Sequence, residues 1–307
     1  MSTKYNQLSR YGALSKVLPA MSPAAKVFFV GLSSASWYPD FGNMFPVDED
    51  GVVRVYSTIS DALTNCVASR GDVILVLPGY TETLTAALTI SKAGVSIIGV
   101  GNGSLKPQIT VNFAGDGLNI TGANVLVENF NFAAPETDEA TAMINVAAAN
   151  VTLRNITGIG SKTSKNFVDC ITIASGADDL TLENVKLNNS VVAVNSFLSI
   201  EAAVARFKIR GFRAFGDVAT AGIIDAATAT QLDWEDVVVG VVGTTKPAAT
   251  LDSNPTGLIN RARFAGTHST IATNAALGNA IRLFDVLVLE ETDGSKQGAQ
   301  IPAADTD

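Results

Sequence analysis

Val125-Leu-Val-Glu-Asn-Phe130, Val151-Thr-Leu-Arg-Asn-Ile156 and Leu180-Thr-Leu-Glu-Asn-Val185 are one six-residue phrase written three times. Looser copies stand on either side, at Val95-Ser-Ile-Ile-Gly-Val100, Phe207-Lys-Ile-Arg-Gly-Phe212 and Leu232-Asp-Trp-Glu-Asp-Val237. The fifth positions (Gly99, Asn129, Asn155, Asn184, Gly211, Asp236) fall 30, 26, 29, 27 and 25 residues apart. Alternation with period two puts neighbouring side chains on opposite faces of a strand, and a small or turn-forming residue ends the run. A unit this short cannot bury its own apolar face, so it must stack on its neighbours. A second strand precedes each of the first five phrases, marked by the apolar pairs Leu88/Ile90, Leu118/Ile120, Ile144/Val146, Ile171/Ile173 and Leu198/Ile200. The repeat therefore predicts an all-β fold, a parallel β-helix with one coil per repeat.

The row before the turn position reads Glu128, Arg154, Glu183, Arg210, Glu235, changing sign at every coil. Residues stacked on successive coils lie about 4.8 Å apart, and at that spacing opposite charges are favourable while like charges repel. The alternation predicts a structural charge ladder on an outer face rather than a catalytic cleft. Asn129, Asn155 and Asn184 read as stacked turn amides that tolerate left-handed backbone geometry.

Composition narrows the function. Of the 307 residues 47% are hydrophobic but only 7% aromatic and 16% charged, which suits small side chains filling a narrow coil. The net charge of −8 and the lack of any basic run in the sequence argue against nucleic acid and other polyanions as partners. Cys66 and Cys170 are too few for a disulfide framework and read as buried free thiols. His268 is the single histidine, so histidine zinc sites and Ser/His/Asp triads are not expected. Neither a signal segment nor a membrane span is expected, since Val27-Phe-Phe-Val30 is far too short to cross a bilayer.

Around the repeats the chain divides into three parts. Residues 1–50 form a non-repetitive arm with a short apolar strand at Val27–Val30 and a cluster of Trp37, Tyr38, Phe41 and Phe45, read as a candidate subunit or docking interface. Residues 51–265 are the β-helix, entered through an amphipathic helix at about 58–70 that opens on the capping signal Thr58-x-x-Asp61 and carries Ile59, Ala62, Leu63, Cys66 and Val67 on one face. Residues 266–307 hold a strongly apolar strand, Ile281–Leu289, read as covering the far end, and an exposed acidic tail. The series Tyr56-Ser-Thr-Ile-Ser-Asp-Ala-Leu63, Gly71-Asp-Val-Ile-Leu-Val-Leu-Pro-Gly79, Tyr80-Thr-Glu82 and Gly94-Val-Ser-Ile-Ile-Gly-Val-Gly101 resembles the entry region of pectin-lyase-like β-helix proteins. That resemblance implies a single-stranded right-handed solenoid whose N-terminal end is capped by the short helix. It implies no particular activity, because enzymes and non-catalytic virion proteins share the fold.

Cleavage of a glycosidic bond would need two carboxylates about 5 to 10 Å apart, and Asp178/Asp179, Glu183, Asp225 and Asp233/Glu235/Asp236 are the carboxylates on offer. The paired-aspartate and Gly-His-Gly signatures of polygalacturonases are absent, as are the methylesterase and pectate-lyase constellations. No catalytic residue, metal ligand or cofactor is assigned. The opening Leu8-Ser-Arg-Tyr-Gly-Ala-Leu-Ser-Lys-Val-Leu-Pro19 and Arg54-Val-Tyr56 before the helix resemble structural proteins of tailed bacteriophages. This second resemblance implies a non-enzymatic head decoration, turret or capsid-stabilising protein located in the virion. It would be a homotrimer whose partner is the major capsid protein or another virion protein. The alternative is a tail spike that binds, and in some cases cleaves, a host surface glycan.

Overall fold

A computed structural model describes residues 24–35, 38–44, 51–135, 138–159, 161–162, 165–252, 254–268, 271–278, 280–290 and 299–300. The repeated phrases are strands that lie side by side in parallel. Leu126–Glu128 pairs with Thr152–Arg154, which pairs with the strand from Thr181, so that Val127, Leu153 and Leu182 stack in one column. Lys208–Val218 and Leu232–Val242 continue it, adding Ile209 and Trp234. The strands ahead of the phrases form a second sheet, in which Leu118, Ile144, Ile171 and Leu198 share one column and Ile120, Val146, Ile173 and Ile200 the next. After each turn a third strand follows, as at Gln108–Val111, Asn131–Ala133 and Thr157–Ile159, also stacked in parallel. From residue 181 onward the phrase and post-turn strands run on as one bent strand. The described residues form an all-β parallel solenoid, with one sheet of 16 strands and one of 9.

Left-handed backbone geometry makes the corners. Asn129, Asn155, Asn184 and Asp236 have φ of 66°, 53°, 52° and 56°, a region open to Asn and Asp at small cost because their short side chains hydrogen-bond locally. The Asn129 amide donates to the carbonyls of Gly99 and Gly101 on the coil before, at 2.8 and 2.9 Å. A second left-handed corner, which the repeat template does not include, stands one residue ahead of each phrase at Gly94, Asn124, Asn150, Asp179, Arg206 and Gln231. Its N–H groups bond to the next coil, Asn124 to Ala149 O at 3.0 Å and Asn150 to Asp178 O at 2.8 Å. Residue types there vary from Gly to Arg, so the column leaves little trace in the sequence.

The interior is one apolar column. Phe130, Phe167, Phe197, Phe207, Phe212 and Phe264 are fully enclosed, as is Trp234, whose ring meets Phe207 edge-on at 5.7 Å between centroids. The indole Nε1–H of Trp234 has no acceptor among the described residues.

Both ends differ from the sequence reading. Val27–Val30, placed in the arm, pairs in parallel with Val73–Val76 and so belongs to the phrase sheet. Every residue of Val73–Val76 is buried because Phe29, Val55, Leu75 and Ile98 form a second apolar cluster outside the coil, with Tyr38 against it. That explains the unbroken apolar run, since a strand covered on both faces loses its alternation. At the other end Ile281–Leu289, expected as a covering strand, lies within Ala280–Glu290, a parallel strand that pairs residue by residue with Thr256–Gly266. Ile259 and Leu283 prolong the inward column there. The solenoid thus starts before residue 51 and runs past 265.

The helix spans Ile59–Asn65 and not 58–70. Thr58 Oγ1 accepts the Asp61 N–H at 3.1 Å, and Ile59, Ala62 and Leu63 face the core. Cys66 turns extended, and Val67 is exposed rather than on the buried face. The cause is Asp72. Its fully enclosed carboxylate accepts N–H groups from Val67 at 2.8 Å and Lys26 at 2.9 Å and the Arg70 fork at 2.6 Å, so it draws the chain out of the helix. Burial alone would raise the Asp72 carboxyl, but the Arg70 fork and the Val67 and Lys26 N–H groups outweigh it and hold it below the usual carboxylate range. A group depressed in the folded state stabilises fully above its unfolded value of about 4 and loses that contribution as pH falls through the lower folded value. Asp72→Asn is expected to lose about 2 kcal/mol at neutral pH. Part of the acid-induced decline below about pH 4 should disappear with it. Urea midpoints measured from pH 7 to pH 3 check both effects.

Candidate functional site

The outer face of the phrase sheet carries the charged row. Arg154 stands between its register partners, 3.6 Å from Glu128 and 2.6 Å from Glu183. Arg210 turns from Glu183 toward the following coil, where it meets Asp233 and lies 3.3 Å from Glu235. Arg261, which the template did not reach, extends the row by clamping Glu235 at 2.5 Å and Asp236 at 2.7 Å. These pairs are partly exposed, and each contributes well under about 1 kcal/mol. Their main effect is to hold successive coils in register.

The carboxylates weighed for catalysis are held one by one. Asp178 accepts the Ala205 N–H at 2.8 Å, and Asp179 takes the Arg206 fork at 2.7 and 2.8 Å. Asp225 points inward beneath Ile200 and accepts N–H groups from Ala227 and Ala229 at 3.2 and 3.0 Å. Glu183 is held by Arg154, Asp233 by Arg210, and Asp236 by Arg261. Hydrogen bonds from Arg206 and Arg261 hold Asp179 and Asp236 below the usual carboxylate range. Among the described residues no group of three or more His, Cys, Asp or Glu is placed to hold a metal ion. Cys66 and Cys170 are both buried, and burial pushes the Cys66 thiol up to about 12 and raises Cys170 as well, so both remain protonated. His268 sits in a loop closed by Asn274, whose side chain bonds its N–H and its carbonyl.

Of the aromatic cluster in the arm, Tyr38 opens the helix Tyr38–Met44 and packs on the apolar cluster outside the first coils. Phe41 lies in the same helix, its side chain outside the described residues, as are Trp37 and Phe45 altogether.

One feature of the surface is invisible in the linear chain. On the post-turn face a groove of about 370 Å³ runs across four coils, bordered by Lys186, Arg213 and Arg263 and floored by Phe215, Gly240 and Ala265. Its residues come from sequence positions 25 to 27 apart, so no local motif could have announced it.

No family model matches the chain, and a search of curated proteins gives no match either. Among solved structures the chain is similar to the crystal structure of pectate lyase Pel9A. The TM-score is 0.52 at 11% identity, covering 87% of this chain and 70% of that one. Identity that low carries the architecture and not the chemistry. The fold is that of a pectin-lyase-like parallel β-helix.

Proposed function

We propose that this protein is a non-enzymatic structural component of a bacteriophage virion, a trimeric head decoration, turret or capsid-stabilising protein. In this reading the solenoid is right-handed, the helix Ile59–Asn65 caps its N-terminal end, and the arm bearing Trp37, Tyr38, Phe41 and Phe45 docks on the major capsid protein or another virion protein. One observation carries it: the carboxylates available for glycoside chemistry on the solenoid faces are already bound to arginines or backbone N–H groups of the same or neighbouring coils. An acid catalyst must be free to give and take a proton in the transition state, whereas a clamped carboxylate serves coil registry. A stiff rod braced at its outer face is what a particle surface requires.

The test is co-sedimentation of the purified chain with heads that lack it, together with a native mass measurement of its oligomer. Deleting residues 1–50 would strip Val27–Val30 from the sheet, so the informative variant is Trp37→Ser/Phe41→Ser/Phe45→Ser in one chain. It is expected to keep the β-rich fold and lose particle attachment. Attachment at the level of the unaltered chain would reject the arm as the anchor, and absence of binding by the unaltered chain would reject the virion role.

A further inference from the structure

The charges of the post-turn face break the rule that the neighbouring face obeys. In register, Thr157 is followed by Lys186, Arg213, Val238 and Arg263, so cations sit on consecutive coils with no acid between Lys186 and Arg213. Like charges stacked at about 4.8 Å are unfavourable. Arg154, Arg206, Arg210 and Arg261 each hold a carboxylate, but Lys186, Arg213 and Arg263 have no ion-pair or hydrogen-bond partner among the described residues. Asp236, close enough to feel the Arg213 charge, is already clamped by Arg261. At the near end Lys106 adds a further cation, its Nζ bonded to Asn155 O at 2.7 Å and Thr157 Oγ1 at 3.1 Å. Burial, and then the charge of Lys186, pulls Lys106 down to about 8.

The next outward row is apolar. It runs Ile159, Asn188, Phe215, Gly240, Ala265 and Leu289. Phe215 is 54% exposed, a large cost for an aromatic ring left in water. Its ring leans over the bare backbone of Gly240, where a Cβ would come within 2.7 Å of Phe215 Cδ2. A flat apolar platform therefore lies beside a line of unpaired cations, along the solenoid axis. A local rule broken this way, with no compensation inside the fold, marks a functional surface.

We propose that this groove binds an acidic saccharide chain, its carboxylates on Lys186, Arg213 and Arg263 and the C–H face of one sugar ring on Phe215. Guanidinium forks match carboxylates with two parallel hydrogen bonds, and a pyranose presents an apolar face and a charged edge side by side, as the two rows do. A nucleic acid fits less well, because strand binding draws on several stacking aromatics and the acids of the adjoining face would repel a long phosphate backbone. The assignment is independent of any place in a particle.

Titration calorimetry on the full-length chain tests it with three probes: a hexameric oligoguluronate, cellohexaose and an oligothymidylate. The oligoguluronate is expected to bind with an affinity that falls as salt rises, and cellohexaose to bind at least ten-fold more weakly. Arg213→Ala, Arg263→Ala and Phe215→Ala should each weaken the oligoguluronate by about ten-fold, as loss of one charge-assisted contact gives. Their unfolding midpoints should stay unchanged, because these side chains are exposed. Lys208→Ala, on the adjoining face, should leave binding intact. Equal binding of cellohexaose, tighter binding of the oligothymidylate, undiminished affinity in the three groove variants, or no binding at all would overturn the proposal.

Discussion

Gly216→Ala is expected to destabilise the protein by about 4 kcal/mol or more, placing it among the rare severe single substitutions. Gly216 has φ of +140° in the middle of the strand Lys208–Val218, in a region that residues with a Cβ scarcely enter. A Cβ there would lie 1.6 Å from the carbonyl oxygen of Asn189 on the coil below, its register partner. Asn189 cannot give way. It is buried, its amide donates to Asp217 O at 2.5 Å, and the ladder shifts register just beyond it. The alanine must push two rungs apart, and in a solenoid where each coil rests on its neighbours that gap spreads to the pairings on either side. Urea denaturation followed by far-ultraviolet circular dichroism measures the effect. A loss below about 1 kcal/mol would mean that the backbone at 216 is not held as described.

Trp234→Ala is expected to cost about 4 kcal/mol, within the range for emptying a large aromatic site in a core. The indole is fully enclosed, stacked between Ile209 and Ile259 and edge-on to Phe207, so the coils cannot collapse into the space without breaking register. Trp234→Phe separates packing from polarity. It retains an aromatic ring and removes a buried N–H that has no acceptor, a group whose desolvation costs about 1–3 kcal/mol. The phenylalanine variant should therefore lie within about 1.5 kcal/mol of the unaltered protein. Equal losses for Phe and Ala would show that the Nε1–H is satisfied after all and that the indole matters for more than its volume.

The coil columns were legible in the chain because stacking is strictly periodic. Leu153 faces inward for the same reason that Val127 and Leu182 do, and the alternation that says so is local. The corner at Asn129, Asn155 and Asn184 was legible because left-handed geometry selects Asn. The corner one residue ahead of each phrase was not, since Arg206 and Gln231 adopt the same conformation under pressure from the stack. The rungs at 256–266 and 280–290 were missed for a related reason. Arg261 and Asp285 occupy the turn, and Gly257 takes the place of the phrase's first apolar residue, so the pattern fades while the hydrogen-bonded ladder persists.

By itself, then, the sequence determined the parallel solenoid, its inward columns and the residues of the sign-alternating outer row, because each depends on what lies within one short phrase and on the interval to the next copy. Tertiary structure alone decided which acid each arginine clamps, where the solenoid ends, and that Lys186, Arg213 and Arg263 form a line beside Phe215. Those cations are far apart along the chain and amount to no basic run. Only the winding of coil upon coil brings them onto one face, where their charges add in space without adding in sequence.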